Sequence, residues 1–260
     1  MVDTEELARG YTLVNNTQQN TGLYLLEKLN VQPEMRVLDV GCGPGNLTSH
    51  IADIVGAEGS VVGIDPSQER IAIARQEIKK PNTSFSEGRA EDLSMFTAGS
   101  FDIIFCNSTF HWVQDQRTAL KEFARVLKPR GRLGMSGGSG DFTAIHERIK
   151  EDVLSQEPFK AYSEAAPPTF LKQRELERLL DEAGLHERNI AVRTIVKSAK
   201  NGDEMIDWLV TSSSGSTYGG IPLDLRPRAR EEMRKEWDKV TTEDGIHMNM
   251  ELLVTVAVKA

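Results

Sequence analysis

The chain has 260 residues, enough for one large α/β domain with a buried core, or for one domain and a cap. Its formal charge of −8 and the lack of a long basic run argue against a nucleic-acid partner. No apolar run approaches the ~18 residues of a membrane helix, two cysteines are too few for a disulfide framework, and the first residues lack a signal-peptide core. We therefore expect a cytoplasmic protein without a nucleic-acid or membrane partner.

A polar segment and a helix come first in the chain. Four leucines between Leu23 and Leu29 recur at helical spacing, and Pro33 follows the predicted end of the helix. Tyr11 and Gln18 lie in the polar segment, which is rich in amide side chains. One interpretation is a loop with a helix cap, and the other is a lid whose phenol and amide groups reach a ligand.

The stretch from Arg36 to Thr48 is the most informative part of the sequence. Its apolar residues predict a strand that is buried on both faces of a parallel sheet. Glycines then alternate with other residues from Gly41 to Gly45, and Asn46 opens an amphipathic run. Glycine permits positive φ and lets a ligand approach backbone N–H groups, so this order of strand, turn and helix predicts a nucleotide-binding turn.

Two residues bear on which nucleotide this turn would bind. A dinucleotide fingerprint needs a third glycine at its sixth place, where this chain has Asn46. Asp39 lies inside the strand, where a carboxylate does not help to bind a pyrophosphate but suits a cationic ligand or one with an amino group. A nicotinamide-dependent oxidoreductase is therefore an alternative against which both residues count.

The pattern Asp-x-Gly-x-Gly-x-Gly, from Asp39 to Gly45, resembles motif I of the class I S-adenosylmethionine-dependent methyltransferases. The resemblance implies an α/β fold with a doubly wound, Rossmann-like sheet of seven strands and a small helical cap. It implies S-adenosylmethionine as the cofactor; no metal is expected, because the five histidines and two cysteines show no ligand spacing. The cofactor-binding residues predicted in this stretch are Asp39, Gly41, Cys42, Gly43 and Asn46.

A second buried strand, from Ser60 to Asp65, ends in a carboxylate 26 positions after Asp39. This is close to the spacing at which an acidic residue binds a ribose, and a carboxylate can accept hydrogen bonds from both ribose hydroxyls. We assign Asp65 to that role with Pro66 beside it; the alternative for Asp65 is a strand-end or N-cap residue. A helix is expected from Gln68 to Lys79.

Three more strands are predicted, at Thr83 to Glu87, Phe101 to Cys106 and Arg132 to Ser136. Crossovers between successive strands imply a parallel sheet, which binds ligands at the carboxyl ends of its strands near the switch point. The segment after the third strand resembles the one that contacts adenine in these methyltransferases, which assigns Arg89, Ala90 and Glu91 to the cofactor. Asn107 and Ser108 follow the fourth strand and are assigned to the same edge.

Two further strands and several helices follow the fifth strand and would complete the sheet of seven. We divide the chain into an N-terminal lid segment and helix (1–34), a cofactor-binding core (35–140) and a last region (141–260). That last region would complete the sheet and insert cap helices over the substrate site.

The stretch from Phe110 to Arg117 resembles small-molecule methyltransferases of the trans-aconitate and juvenile-hormone-acid type. This implies a small-molecule substrate whose carboxylate oxygen is the favoured acceptor, and we expect a monomer or homodimer. Transfer to sulfur or nitrogen stays open, as does a non-catalytic S-adenosylmethionine-binding protein. His111 is the candidate base, needed if the acceptor arrives protonated, or else an edge residue packed beside Trp112. We place Tyr11, Gln18, His111 and Trp112 around the substrate.

Overall fold

The computed structural model describes residues 16–162, 166–213 and 216–260, so the predicted substrate residue Tyr11 lies outside the described residues. The helices are α1 (Asn16–Leu29), α2 (Asn46–Val55), α3 (Gln68–Glu77), α4 (Gln116–Val126), α5 (Ile145–Leu154), α6 (Gln173–Glu182), α7 (Gly202–Ser212) and α8 (Arg226–Asp238). The strands are β1 (Arg36–Val40), β2 (Ser60–Asp65), β3 (Thr83–Glu87), β4 (Phe101–Asn107), β5 (Leu127–Gly138), β6 (Leu185–Ala199) and β7 (Ile246–Lys259). Within these ranges, no helix has both the length and the apolar character needed to span a membrane.

The seven strands form one sheet in the order β3-β2-β1-β4-β5-β7-β6. β1 pairs in parallel with β2 on one side and with β4 on the other, whereas β7 runs antiparallel to β5. The chain therefore changes direction across the sheet at β1, and α/β sheets bind ligands beside such a switch point. The predicted Rossmann-like sheet of seven strands is confirmed.

Apolar side chains cover both faces of β1. On one face, Leu29 of α1 and Ile51 of α2 share a buried cluster with Val37. On the opposite face, Leu120 of α4 shares a buried cluster with Leu38. Successive residues of the strand thus enter opposite layers, which is why its sequence is a nearly continuous apolar run.

The described residues fall into two compact units, here named the sheet unit and the helical unit. The sheet unit comprises Asn16–Asp141, Pro168–Arg193 and Leu252–Ala260. The helical unit comprises Phe142–Pro167 and Thr194–Glu251, and its helices α5, α7 and α8 have their own buried cluster, which includes Trp237. The predicted cap over the substrate site stays a prediction.

Several element boundaries differ from those predicted, including the start of β5 and the end of α3. β5 begins at Leu127 rather than Arg132, because Leu127 already pairs with Phe101 of β4 before the register shifts. Arg130 lies within this shift. Its φ of 65° is in the left-handed region that favours glycine, so the backbone is turn-like there although the residue belongs to β5. α3 ends at Glu77 rather than Lys79, because the backbone is already extended at the next residue.

Candidate cofactor and acceptor site

The turn after β1 is shaped by left-handed glycines and by hydrogen bonds to β2. Gly41, Gly43 and Gly45 have φ of 76°, 55° and 90°, which glycine adopts at little cost. The N–H groups of Gly41 and Cys42 donate to the carbonyl of Ile64, at 2.8 and 3.0 Å. The glycine turn is therefore fixed against the carboxyl end of β2.

Asp65, the last residue of β2, is held beside this turn. One of its carboxylate oxygens accepts from the N–H of Gly43 at 3.0 Å, and the other accepts from the N–H of Ser67 at 2.9 Å. The residue is 6% exposed, so these backbone donors replace much of its hydration. The structure thus brings Asp65, the residue predicted to bind the ribose, into direct contact with the turn predicted to bind the cofactor.

A second carboxylate, Asp39, is buried inside β1. Its Oδ2 accepts a hydrogen bond from the hydroxyl of Thr48 in α2 at 2.6 Å. Asn46, another predicted cofactor residue, begins that helix and is half-buried. Burial raises the pKa of Asp39 to about 7; the hydrogen bond from Thr48 opposes this rise, and the charge of Asp65 adds to it. Two carboxylates that disfavour each other's ionisation make this region favourable for a positively charged ligand.

The residues after β4 are tied to β5 and to α1. Asn107 donates from Nδ2 to the carbonyl of Gln18 at 2.9 Å and accepts at Oδ1 from the hydroxyl of Ser136 at 2.6 Å. Ser108 has φ 54°, and its N–H donates to the carbonyl of Ser136 at 2.8 Å. Gln18, Asn107 and Ser108 therefore meet at the carboxyl edge of the sheet, and their binding roles stay predictions.

The segment after β3 reaches this edge through Glu91 and Ala90. The Glu91 carboxylate accepts from the N–H of Gln114 at 3.2 Å, and Ala90 is buried. Arg89 is exposed, with its guanidinium 3.7 Å from Glu91, and Pro66 is exposed as well. Of these four predicted cofactor residues, Ala90 and Glu91 are thus built into the edge, whereas the side chains of Arg89 and Pro66 face solvent.

His111 and Trp112 belong to a short 3₁₀ helix, Phe110–Trp112, and both are half-buried. The imidazole of His111 stacks on Phe170 with ring centroids 5.1 Å apart and lies equally far from the Trp112 ring. Its Nδ1 is enclosed, with no hydrogen-bond partner in the described part of the chain. Burial lowers the pKa of His111 to about 4, so the ring is neutral at pH 7.

Three residues of this site were not predicted from the sequence. Thr48 bonds to Asp39, Ser136 bonds to Asn107, and Phe170 stacks on His111. Thr48 could have been found, because it lies in the first turn of the helix that follows the glycines. Ser136 and Phe170 reach the site through tertiary packing and have no local signal in the sequence.

Comparison with known proteins agrees with this geometry. Residues 38–135 match a family model described as a methyltransferase domain. The chain is 35% identical over 128 residues to an arsenite methyltransferase of Aquipseudomonas alcaligenes, covering 46% of this chain and 37% of the relative. It is 25% identical over 181 residues to a malonyl-[acyl-carrier protein] O-methyltransferase of Priestia megaterium, covering 68% of this chain and 64% of the relative.

A solved structure shows the same fold. YcgJ of Bacillus subtilis matches with a TM-score of 0.66 at 19% identity, over 93% of this chain and 98% of that one. Residues 38–135 are thus similar to methyltransferase domains, and the chain shares the fold of YcgJ. The resemblance to the trans-aconitate and juvenile-hormone-acid type stays a prediction.

Gly41→Ala is expected to destabilise the protein more than Gly184→Ala. Both glycines have a φ of 76°, so each substitution meets a left-handed strain of about 1–2 kcal/mol. A Cβ at Gly41 would lie 2.2 Å from Thr109 Oγ1, whereas nothing lies within 4 Å of one at Gly184. Urea denaturation should therefore show an additional loss of about 1–3 kcal/mol for Gly41→Ala. Equal losses would show that the turn does not pack against Thr109.

Asp39 is expected to contribute less to the stability of the ligand-free protein as the pH rises. Its pKa goes from an ordinary 3.8 to about 7 on folding, so between these values the folded state holds a proton that the unfolded chain has lost. Burial lowers the pKa of His111 and His146 to about 4, which makes stability rise over part of the same range, so the effect of Asp39 is measured as a difference. In urea unfolding, the free energy of the wild type minus that of Asp39→Asn, whose side chain does not ionise, should fall by up to about 4 kcal/mol between pH ~4 and pH ~8.

Asp102→Asn is the matched control for this pH dependence. Asp102 accepts from Lys128 Nζ at 2.8 Å and from the N–H of Arg36 at 2.9 Å. Burial works against ionisation of this carboxyl, but those hydrogen bonds outweigh it and lower the pKa of Asp102. The control should therefore keep the wild-type pH dependence, and the same dependence in Asp39→Asn would contradict the assignment to Asp39.

Proposed function

We propose that this protein transfers a methyl group from S-adenosylmethionine to a small-molecule acceptor. The observation that carries the proposal is the pair of buried carboxylates, Asp39 and Asp65, beside the glycine turn. S-adenosylmethionine carries positive charge and a ribose with two hydroxyls. A desolvated pair of carboxylates favours such a ligand over a dinucleotide, whose pyrophosphate is anionic.

The residues at this edge would have separate roles toward the cofactor. Asp65, already oriented by two backbone N–H groups, would accept hydrogen bonds from the ribose hydroxyls. Asp39 would offset the positive charge, and Gly41 and Gly43 would let the backbone approach without a Cβ in the way. When bound, S-adenosylmethionine supplies an activated methyl group, so alignment is the main task of the protein and could contribute roughly 7–11 kcal/mol to lowering the barrier.

We place the acceptor beside the short helix Phe110–Trp112, with Trp112 as an apolar wall. Because the pKa of His111 is about 4, its imidazole is a weak base at neutral pH. The proposed acceptor therefore presents a free lone pair without proton removal, as a carboxylate or a thiolate does. Oxygen is supported by the O-methyltransferase relative and by the resemblance that favours a carboxylate.

Arsenite is not an acceptor that this site supports, although one relative is named for it. Arsenic(III) is a soft centre that prefers thiolate ligands. This chain has two cysteines, Cys42 and Cys106, and both are buried. Burial raises the pKa of both thiols, so neither provides an accessible thiolate at neutral pH.

A non-catalytic S-adenosylmethionine-binding protein would share the whole cofactor edge and is the alternative function. Incubation with S-adenosylmethionine labelled at its methyl group, together with panels of carboxylic acids, thiols and amines, separates the two. Transfer of the label to a member of one panel supports the enzyme. Tight binding without transfer to any of them favours the alternative.

Asp65→Ala is expected to weaken S-adenosylmethionine binding about a hundredfold or more, measured by calorimetric titration. Two hydrogen bonds to a charged acceptor are worth about 1.5–3 kcal/mol each, which sets the size of the loss. Asp65→Asn keeps an oxygen for the N–H of Gly43 and should still lose at least about tenfold, because its amide cannot accept from both hydroxyls.

Asp53→Ala is the control for these titrations. Asp53 is an exposed carboxylate of α2 that pairs with Lys80 at 2.5 Å, so its loss removes the same charge without touching the turn. Its S-adenosylmethionine affinity should equal that of the wild type. A marginal change in a folded Asp65→Ala, or thermal stabilisation of the wild type by NAD but not by S-adenosylmethionine, would refute the proposed cofactor site.

A further inference from the structure

A pocket in the sheet unit lies among β7, the end of β5, the start of α6 and the short helix Phe110–Trp112. Its cavity volume is about 30 Å³, which is room for one small polar group of a ligand, and its mouth is open. Its apolar walls are formed by Phe110, Met135, Leu171, Leu176 and Leu253.

The pocket adjoins the cofactor edge through Ser136. This serine lines the pocket, and its hydroxyl donates to the Oδ1 of Asn107 at 2.6 Å. The next residue, Gly137, leaves room at the wall, because a Cβ there would lie 3.3 Å from the Nδ1 of His111. A molecule that occupies the pocket would therefore lie next to the edge at which the methyl group is proposed to be transferred.

Two residues that line the pocket carry buried polar atoms without a hydrogen-bond partner among the described residues. These atoms are the Nδ1 of His111 and the Oγ1 of Thr255, a fully buried residue of β7. By contrast, the Nε2 of Gln116 donates to the carbonyls of Phe110 and Thr169. Buried polar atoms are nearly always hydrogen-bonded, so two orphans at one pocket leave hydrogen-bonding capacity that a group of a ligand can satisfy in place of water.

The pocket is also electrically neutral at physiological pH. None of the described residues that line it is an aspartate, glutamate, lysine or arginine, and burial keeps His111 uncharged by lowering its pKa to about 4. A charged group that entered would lose its hydration without gaining an opposite charge. A hydroxyl or carbonyl group pays a much smaller desolvation cost and can hydrogen-bond to both orphans.

The geometry points to an acceptor subsite: this pocket binds a compact, uncharged part of the acceptor that carries a hydroxyl or carbonyl group, hydrogen-bonded by Thr255 and His111. The inference rests on the proposed function and narrows its substrate class to acceptors with such a group away from the reacting atom. It makes Thr255 a specificity-determining residue.

Three small molecules of nearly the same shape test the charge preference: isobutanol, isobutyrate and isobutylammonium. Each is titrated into the cofactor-free protein at about pH 7, while NMR follows the imidazole resonances of His111, assigned by their loss in His111→Gln. We expect isobutanol to shift the His111 resonances with a dissociation constant in the millimolar range, as suits so small a ligand. The two charged analogues should bind at least about tenfold more weakly.

Thr255→Val tests the hydroxyl, because valine keeps the shape of threonine. It should raise the midpoint of thermal unfolding by about 2–4 °C, since it removes a buried hydroxyl without a partner, while weakening isobutanol binding about tenfold. Thr21→Val is the matched control, because Thr21 is also buried but its hydroxyl donates to the carbonyl of Thr17 at 2.9 Å. The control should gain no stability and should bind isobutanol as the wild type does.

Equal binding of the three probes, no His111 shift with isobutanol, or unchanged isobutanol affinity in Thr255→Val would overturn the subsite. Because these titrations contain no cofactor, such a result leaves S-adenosylmethionine binding at Asp65 unaffected. Isobutanol binding in a protein that does not bind S-adenosylmethionine would instead refute the proposed function and, with it, the acceptor role of the pocket.

Discussion

The hydrogen bond from the N–H of Gly43 to the carboxylate of Asp65 joins the turn after β1 to the end of β2, and the cofactor edge depends on it. Parallel pairing places Val40 beside Ile64, so the residues that follow each strand meet at the same edge. The left-handed glycines then turn the backbone so that an N–H group faces the buried carboxylate. A desolvated carboxylate needs such donors, and this arrangement supplies them from the backbone.

The proposed site divides into an anionic half and a neutral half. Asp39 and Asp65 make the region around β1 and β2 favourable for a cation, and burial increases the strength of that preference. Beyond β4, His111 and Thr255 border a pocket whose described lining carries no charge. This contrast would let one edge of the sheet select a charged cofactor and an uncharged part of an acceptor separately.

The sequence was sufficient for the parts of the site that are local or periodic. Asp65 was found because it ends the second strand at about the spacing from the glycine turn at which an acidic residue binds a ribose. Ser136 and Thr255 could not be found, because their places depend on the pairing of β5 with β4 and with β7. The early start of β5 was missed for a related reason: Arg130 has a turn-like backbone, yet tertiary pairing keeps its neighbours in the strand.

The most direct test of this account is the number of protons released when S-adenosylmethionine binds, measured by calorimetry at about pH 6 in buffers of different ionisation enthalpy. With a pKa of about 7, Asp39 is mostly protonated at that pH and must ionise to pair with a positively charged ligand. The account predicts release of close to one proton in the wild type and none in Asp39→Asn. Binding without proton release in the wild type, or the same release in both proteins, would contradict the claim that a buried carboxylate pair selects the cofactor.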